Sequence, residues 1–450
     1  MLLQKGDNMK SILRKFIYFV YLLLLLVNLE SCTTSKTEKI IINVWHPWAA
    51  STHNEFTRYI KEVYQETHPG IEIRIQSTTS GRQSDKILTS IAGGSPPEVV
   101  FVDGPLVAEY AERNALIPLD DYIKKAGIKK EYFFTPAWMQ NVYKDKVWAL
   151  TFCADPNFAL FWNKDLFRQA GLDPEKPPMT IEELDKYAKK LTKFENNRFI
   201  QIGFVPWDVY GFTNSLYTWG WVFGGEFYDY ENQKLTFNHQ KIVKALDWMN
   251  SYAKEYGISS FNVFSAGFGS GEMQPFYMGK IAMEVRMYME IEEIAKYAPE
   301  LDYGVAPLPY PPDGEKDSSW VGGWCVALPK GCKYPDEAFE FVRWVCATFE
   351  GTQMQKIMGF LPGWKKSPIF EELKEHPQKR VFVEILEKCK HQRPVIPTQG
   401  YIVNVIDLAG DSVLYGKKTA QEALDESNSL LQNRLEEVLK VHVTPQQDNL

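Results

Sequence analysis

The chain has 450 residues, of which 45% are hydrophobic and 24% charged, with a formal net charge of −7. That length implies two or three structural units, because one core rarely grows past roughly 250–300 residues, and the ordinary apolar fraction excludes a largely disordered chain. The acidic balance excludes a general nucleic-acid binder, which needs a basic face, while a 14% aromatic content with 13 Trp is a surplus that needs a reason.

Lys10, Arg14 and Lys15 precede an apolar run from Phe16 to Val27. The run fits a secretory h-region and falls short of the roughly 20 residues that span a bilayer. Leu29-Glu30-Ser31-Cys32 follows and resembles the lipobox of bacterial lipoproteins, with Glu30 departing from the small or apolar residue usual at that place. Residues 1–31 therefore read as a lipoprotein signal peptide, with Met1 and Met9 both open as starts. Cys32 is expected to carry the lipid, and 32–39 to form a polar tether. An uncleaved anchor is the alternative. Cys153, Cys325, Cys332, Cys346 and Cys389 remain, an odd number that supports no full disulfide framework. Cys325 and Cys332 could pair, but free buried thiols fit their surroundings better.

Ile40 to Trp45 reads as a buried strand, and Phe56, Ile60, Val63 and Tyr64 recur at helical spacing until His68-Pro69-Gly70. Ile71, Ile73 and Ile75 alternate in a second strand, Ser84 opens a helix ended by Gly93-Gly94, and Val99 to Val102 forms a third strand. This alternation predicts a parallel sheet with helices on both faces, whose ligands bind beyond the carboxyl ends of the strands. Those ends are Trp45 to Ala50, Ser77 to Gln83, and Asp103-Gly104-Pro105. Thr180 caps an amphipathic helix over 181–193, and Lys241 to Tyr256 is another helix. Phe204 to Tyr230 packs Trp207, Trp219 and Trp221 among glycines; Trp219 and Trp221 would share a face if that stretch is extended. Tyr303 to Pro307 and Val326 to Pro329 read as strands, and helices dominate from Asp336 onward, with a frayed tail at 444–450.

Several segments together carry a family resemblance: Ile91-Ala92-Gly93-Gly94-Ser95-Pro96-Pro97-Glu98-Val99-Val100, Trp162-Asn163-Lys164-Asp165-Leu166-Phe167, Phe276 to Met283, Asp302 to Pro309, Gly322-Gly323-Trp324 and Lys418 to Leu424. In this order the chain resembles the extracellular solute-binding proteins of bacterial sugar-uptake (ABC) transporters, the maltose-binding-protein-like lipoproteins, over nearly all of 40–440. The resemblance implies an α/β, two-lobed periplasmic-binding-protein-like fold of type II, with ligand in a cleft between lobes joined by hinge crossings. It places 40–152 plus 303–349 in lobe 1 and 153–302 plus 350–440 in lobe 2. Crossings are then expected near Thr151 to Asp155, Leu301 to Pro307 and Glu350 to Gly359.

A sugar offers apolar C–H faces, which suit aromatic planes, and hydroxyls, which suit charged and backbone hydrogen-bonding groups. Trp48 and Asp103 follow strands one and three; a surface aromatic and a helix cap are their plainer readings. Asp155 stands at the first crossing, where the resemblance implies a sugar-binding carboxylate. Trp207 and Trp219 are equally core candidates. Arg286 and Tyr288 follow the Gly279-Lys280-Ile281-Ala282-Met283 segment, at what the family makes a cleft position. Gly322 and Gly323 would let ligand approach backbone, Trp324 could stack or fill core, and the family brings Trp364 and Tyr401 near the cleft. Gly400-Tyr401-Ile402 departs from maltose-type relatives, whose stacking aromatic lies slightly further on, so maltose is not assumed.

No H-E-x-x-H or C-x-x-C pattern supports a metal, no Gly-Lys-Ser/Thr ends the Gly267–Gly271 loop, and Gly410-Asp411-Ser412 lies in a helical stretch, so no cofactor and no catalytic group is expected. The expected role is a monomeric, lipid-anchored binding protein that passes a carbohydrate, an oligosaccharide, to membrane permease subunits. Two alternatives stay open: a glycerol-phosphate ligand held by Arg286, and an exported carbohydrate-active hydrolase.

Overall fold

A computed structural model of the protein describes residues 39–441, apart from 79–82, 197 and 208–209. The signal peptide, Cys32 and most of the tether lie outside the described residues, as does the tail from 442.

The first sheet opens with β1 (Ile40–His46), α1 (Ala50–Tyr59), β2 (Ile71–Ser77), α2 (Gln83–Ala92) and β3 (Val99–Asp103). β1 pairs in parallel with both β2 and β3, as the strand–helix alternation predicts. After the short helix α3 (Val107–Glu112), β4 (Ala149–Thr151) closes the sheet's far edge. Successive residues of β3 face opposite sides, as a period of two requires. Val99 and Phe101 enter one core with Trp48, Phe56 and Phe152. Val100 and Val102 enter another with Ile87 and Val107.

The chain then passes through β5 (Asp155–Asn157) into β6 (Ala159–Asn163), the centre of a second sheet. Thr180 caps α4 (Ile181–Leu191), its hydroxyl accepting the Glu183 N–H at 3.1 Å. The aromatic segment is α5 (Phe212–Val222), packed on α6 (Gln240–Tyr256). Because that stretch is helical and not extended, Trp219 and Trp221 point to opposite sides. β7 (Met283–Arg286) and β8 (Tyr303–Ala306) flank β6, both antiparallel to it.

β8 corrects the expected boundary, which put 303–349 in lobe 1. Gly304 lies opposite Trp162, and a Cβ there would fall 2.0 Å from the indole; this close fit seats 303–306 in the second sheet. The chain returns later, through β9 (Trp320–Gly322) and β10 (Trp324–Ala327). β10 runs antiparallel between β3 and β4, which makes the first sheet mixed and not purely parallel.

The helices α7 (Pro335–Ala347) and α8 (Phe349–Ile357) both pack on the first-lobe core, through residues such as Phe341, Met354 and Met358. So 350–359 also belongs to lobe 1, where the apolar face of α8 finds its cover. After β11 (His391–Gln392), α9 (Gln399–Leu414) and α10 (Ala420–Val441) cover the second core. Among the described residues no helix is long and apolar enough to cross a membrane. All five described cysteines are free, four of them buried and Cys332 half-buried.

Candidate functional site

Three crossings lie side by side. Phe152 and Cys153 donate their N–H groups to the Trp324 carbonyl at 2.9 and 3.3 Å, and Ala154 donates to Leu361 at 2.9 Å. Gly363 donates to Phe152 at 3.2 Å. The links between lobes are therefore 152–155, 322–324 and 360–363. The sequence reading puts the first crossing near Thr151 to Asp155. The second lies downstream of the expected 301–307, because β8 stays in the second sheet, and the third follows α8.

Gly323 makes the middle crossing possible. Its φ is 135°, and a Cβ would stand 2.2 Å from the Cys153 carbonyl oxygen, so only glycine fits both the backbone and the contact. Asp155 belongs to this hinge. Its carboxylate is buried and accepts the Leu361 N–H at 3.2 Å. Burial pushes its pKa up to about 7, against the pull of Leu361 and of the Cys153 thiol. An expected ligand contact is thus a hinge group, with its carboxylate turned to backbone.

Past the hinge, Asp103 and Trp324 are register partners in an antiparallel pair, so their side chains share a face of the first sheet. Trp324 is half-buried. Trp48, by contrast, is only 6% exposed and fills the core behind Trp324. His46 explains its position: the ring stacks on Trp48 at 4.7 Å, and its Nδ1 accepts the Trp48 N–H at 3.1 Å. That bond leaves the proton on Nε2, which faces His53 Nδ1 at 2.8 Å. Burial, then the neighbouring His53, lower the His46 pKa to about 3.

From the second lobe, Arg393 reaches Asp103 at 2.6 Å, with its guanidinium 5.3 Å above the Trp320 ring. Arg286 is paired with Glu284 at 2.9 Å, both largely buried. Tyr210 stacks on Phe158 with ring centroids 5.8 Å apart. At the rim, a cavity of about 760 Å³ opens between α3 and the helices α9 and α10, lined by Glu109, Arg113, Thr398, Tyr401, Asn404 and Arg434 among others. The Arg393 Nε, Arg286 Nε and Thr398 hydroxyl are buried without a hydrogen-bond partner among the described residues.

The remaining expected contacts separate. Trp219 is fully buried, its Nε1 donating to the Pro206 carbonyl at 2.8 Å, and Trp207 packs edge-on against Phe261. Tyr288 is 1% exposed in the core shared by Phe161 and Phe382. These three are buried members of the apolar cores. Trp364 is half-buried and bridges to Phe133 on the first-lobe core. Arg393, Trp320 and Glu109 were not anticipated. Nothing in local sequence marks Arg393 except a lone charge ahead of the apolar Pro394 to Pro397.

The family model for bacterial extracellular solute-binding proteins matches residues 49–347, well over half of the chain. The chain belongs to that family. Among solved structures, this solute-binding protein is similar to CpMnBP1 with mannotriose bound, at 30% identity and a TM-score of 0.78, over 87% of this chain and all of that one. Maltose-bound MalE3 of T. maritima, at 20% identity and a TM-score of 0.73, covers 88% of this chain and all of its own and shares the fold. Among relatives by sequence, the sn-glycerol-3-phosphate-binding periplasmic protein UgpB of Pectobacterium atrosepticum is 24% identical over 89% of this chain and 93% of its own length.

Proposed function

We propose that this solute-binding protein captures a neutral oligosaccharide between its lobes and delivers it to the permease of an ABC importer. The observation that carries this reading is the 30% identity, over nearly the whole chain, to a protein solved with mannotriose. The site chemistry supports it. Trp324 offers an aromatic plane beside Asp103, Gly323 lets ligand approach backbone, and the rim cavity adds Tyr401, Thr398 and Asn404.

The UgpB likeness favours a second reading, a glycerol-phosphate ligand. Electrostatics weigh against it. Arg286 and Arg393 are each committed to a carboxylate, Glu284 and Asp103. A phosphate would have to displace a largely buried partner and leave that carboxylate uncompensated, which is costly. A thermal-shift screen with mannobiose, mannotriose, maltose and sn-glycerol 3-phosphate tests both. A ligand at 100 times its Kd adds roughly 2.7 kcal/mol of stability, so neutral oligosaccharides should raise Tm and glycerol phosphate should not. Stabilisation by glycerol phosphate alone would reverse the assignment.

The binding role carries no chemical step, so mannotriose incubated with the protein should be recovered intact. We place the mature protein outside the cytoplasm as a monomer, held at the membrane by lipid on Cys32 through the polar tether.

A further inference from the structure

Arg393 links three elements that the chain brings together only at the hinge. Its guanidinium lies over Trp320, in β9 on the second-lobe side of the middle crossing. Trp320 is 2% exposed and fixed by its own Nε1 donating to the Thr218 hydroxyl at 3.0 Å. On the other side of the Gly322-Gly323 kink, the guanidinium holds Asp103 at 2.6 Å, at the end of β3 in the first lobe. Asp103 is itself tied to the crossing, because Trp324 is its register partner and the Gly104 N–H donates to the Gly323 carbonyl at 3.1 Å. The segment that carries Arg393 is anchored to the second lobe two residues earlier, where His391 stacks on Trp221 at 5.2 Å and bonds Glu315 at 2.8 Å.

We propose that Arg393 is a positioning residue for ligand capture: by bridging Trp320 and Asp103 across the Gly322-Gly323 kink, it sets the angle between the lobes. Hinge closure concentrates backbone change in a few residues. A bond of 2.6 Å laid across such a point breaks when that angle changes, so it favours the arrangement of the lobes seen here before ligand arrives. The pair is well placed to matter, since the Arg393 side chain is only 12% exposed and Asp103 29%, and partly buried pairs are screened little by salt. A protein held nearer its binding-competent angle has a correspondingly smaller apparent Kd. The proposal rests on capture between the lobes and not on the identity of the ligand. Its test needs no ligand, so a failed sugar screen and a failed brace are distinguishable.

The test is small-angle scattering on the ligand-free mature protein, wild type against Arg393→Gln and Asp103→Asn, with Tm recorded for each. Both variants remove the ion pair, and Asp103→Asn preserves side-chain shape should Arg393→Gln fold poorly. The expected result is a radius of gyration that departs from wild type in both variants. Arg393→Lys, which keeps charge but loses the planar contact with Trp320, should fall between them and wild type. A merely structural role would lower Tm and leave the radius of folded protein unchanged. An unchanged radius in Asp103→Asn overturns the proposal.

Discussion

The indole of Trp324 stands edge-on to that of Trp48, ring centroids 6.5 Å apart and planes at 89°. The two tryptophans form one edge-to-face pair with unequal exposure: the inner ring is 6% exposed and meets Phe56, Phe101, Phe152 and Phe360, while the outer ring is half-buried. Two residues with the same expected role therefore divide it.

Their alanine variants should separate accordingly. Trp48→Ala should cost about 3–5 kcal/mol of stability, the range for emptying a large aromatic from a core. Trp324→Ala should cost less stability and weaken oligosaccharide binding by roughly 1–3 kcal/mol. Denaturant unfolding and calorimetry on both variants decide the matter; equal loss of stability in the two would contradict the division.

Gly323→Ala should destabilise the protein by on the order of 1–3 kcal/mol, because the new Cβ meets a backbone carbonyl at a positive φ. Gly322→Ala should cost less, since the atom in its way is the Asn157 side-chain amide, 2.3 Å from the Cβ position. Chemical denaturation of the pair gives the order, and a reversed order would show that the kink is not where the backbone is constrained.

Asp155 and His46 pull the pH dependence in opposite directions. Between the ordinary 3.8 and about 7, folded Asp155 keeps a proton that the unfolded chain has released, so its contribution lowers stability as pH rises through that window. Between 6.5 and about 3, the unfolded chain takes up a proton that folded His46 refuses, so its contribution lowers stability as pH falls. Asp155→Asn removes only the first effect. The variant should gain on wild type at pH 8, by roughly 1.4 kcal/mol for each unit of pKa displacement at most, and the gain should vanish near pH 4. A difference that is flat across this range would place the Asp155 pKa near its ordinary value.

Cys32→Ala should abolish lipid attachment and signal-peptide processing. The wild type is expected in the detergent phase after phase separation, with its mature N-terminus at Cys32. A wild type recovered wholly in the aqueous phase, with another N-terminus, would remove the anchor from the proposed role.

Local pattern was enough to locate β1, β2 and β3, the Thr180 cap and the helix from Gln240 to Tyr256, because period and capping are short-range properties of sequence. Ordered family motifs were enough to indicate two lobes. Neither reaches what depends on neighbours far along the chain. Trp48, Trp207, Trp219 and Trp324 are the same residue type in similar aromatic surroundings, and only the packed structure buries the first three and leaves Trp324 half open. The place of Tyr303–Ala306 is set by its antiparallel pairing with Leu160–Asn163, where Gly304 leaves room for Trp162. The ion pair between Asp103 and Arg393 joins residues 290 positions apart; sequence marked Asp103 as a strand-end carboxylate but not its pairing with Arg393, because the attraction exists only once two lobes and a glycine kink have brought the charges together.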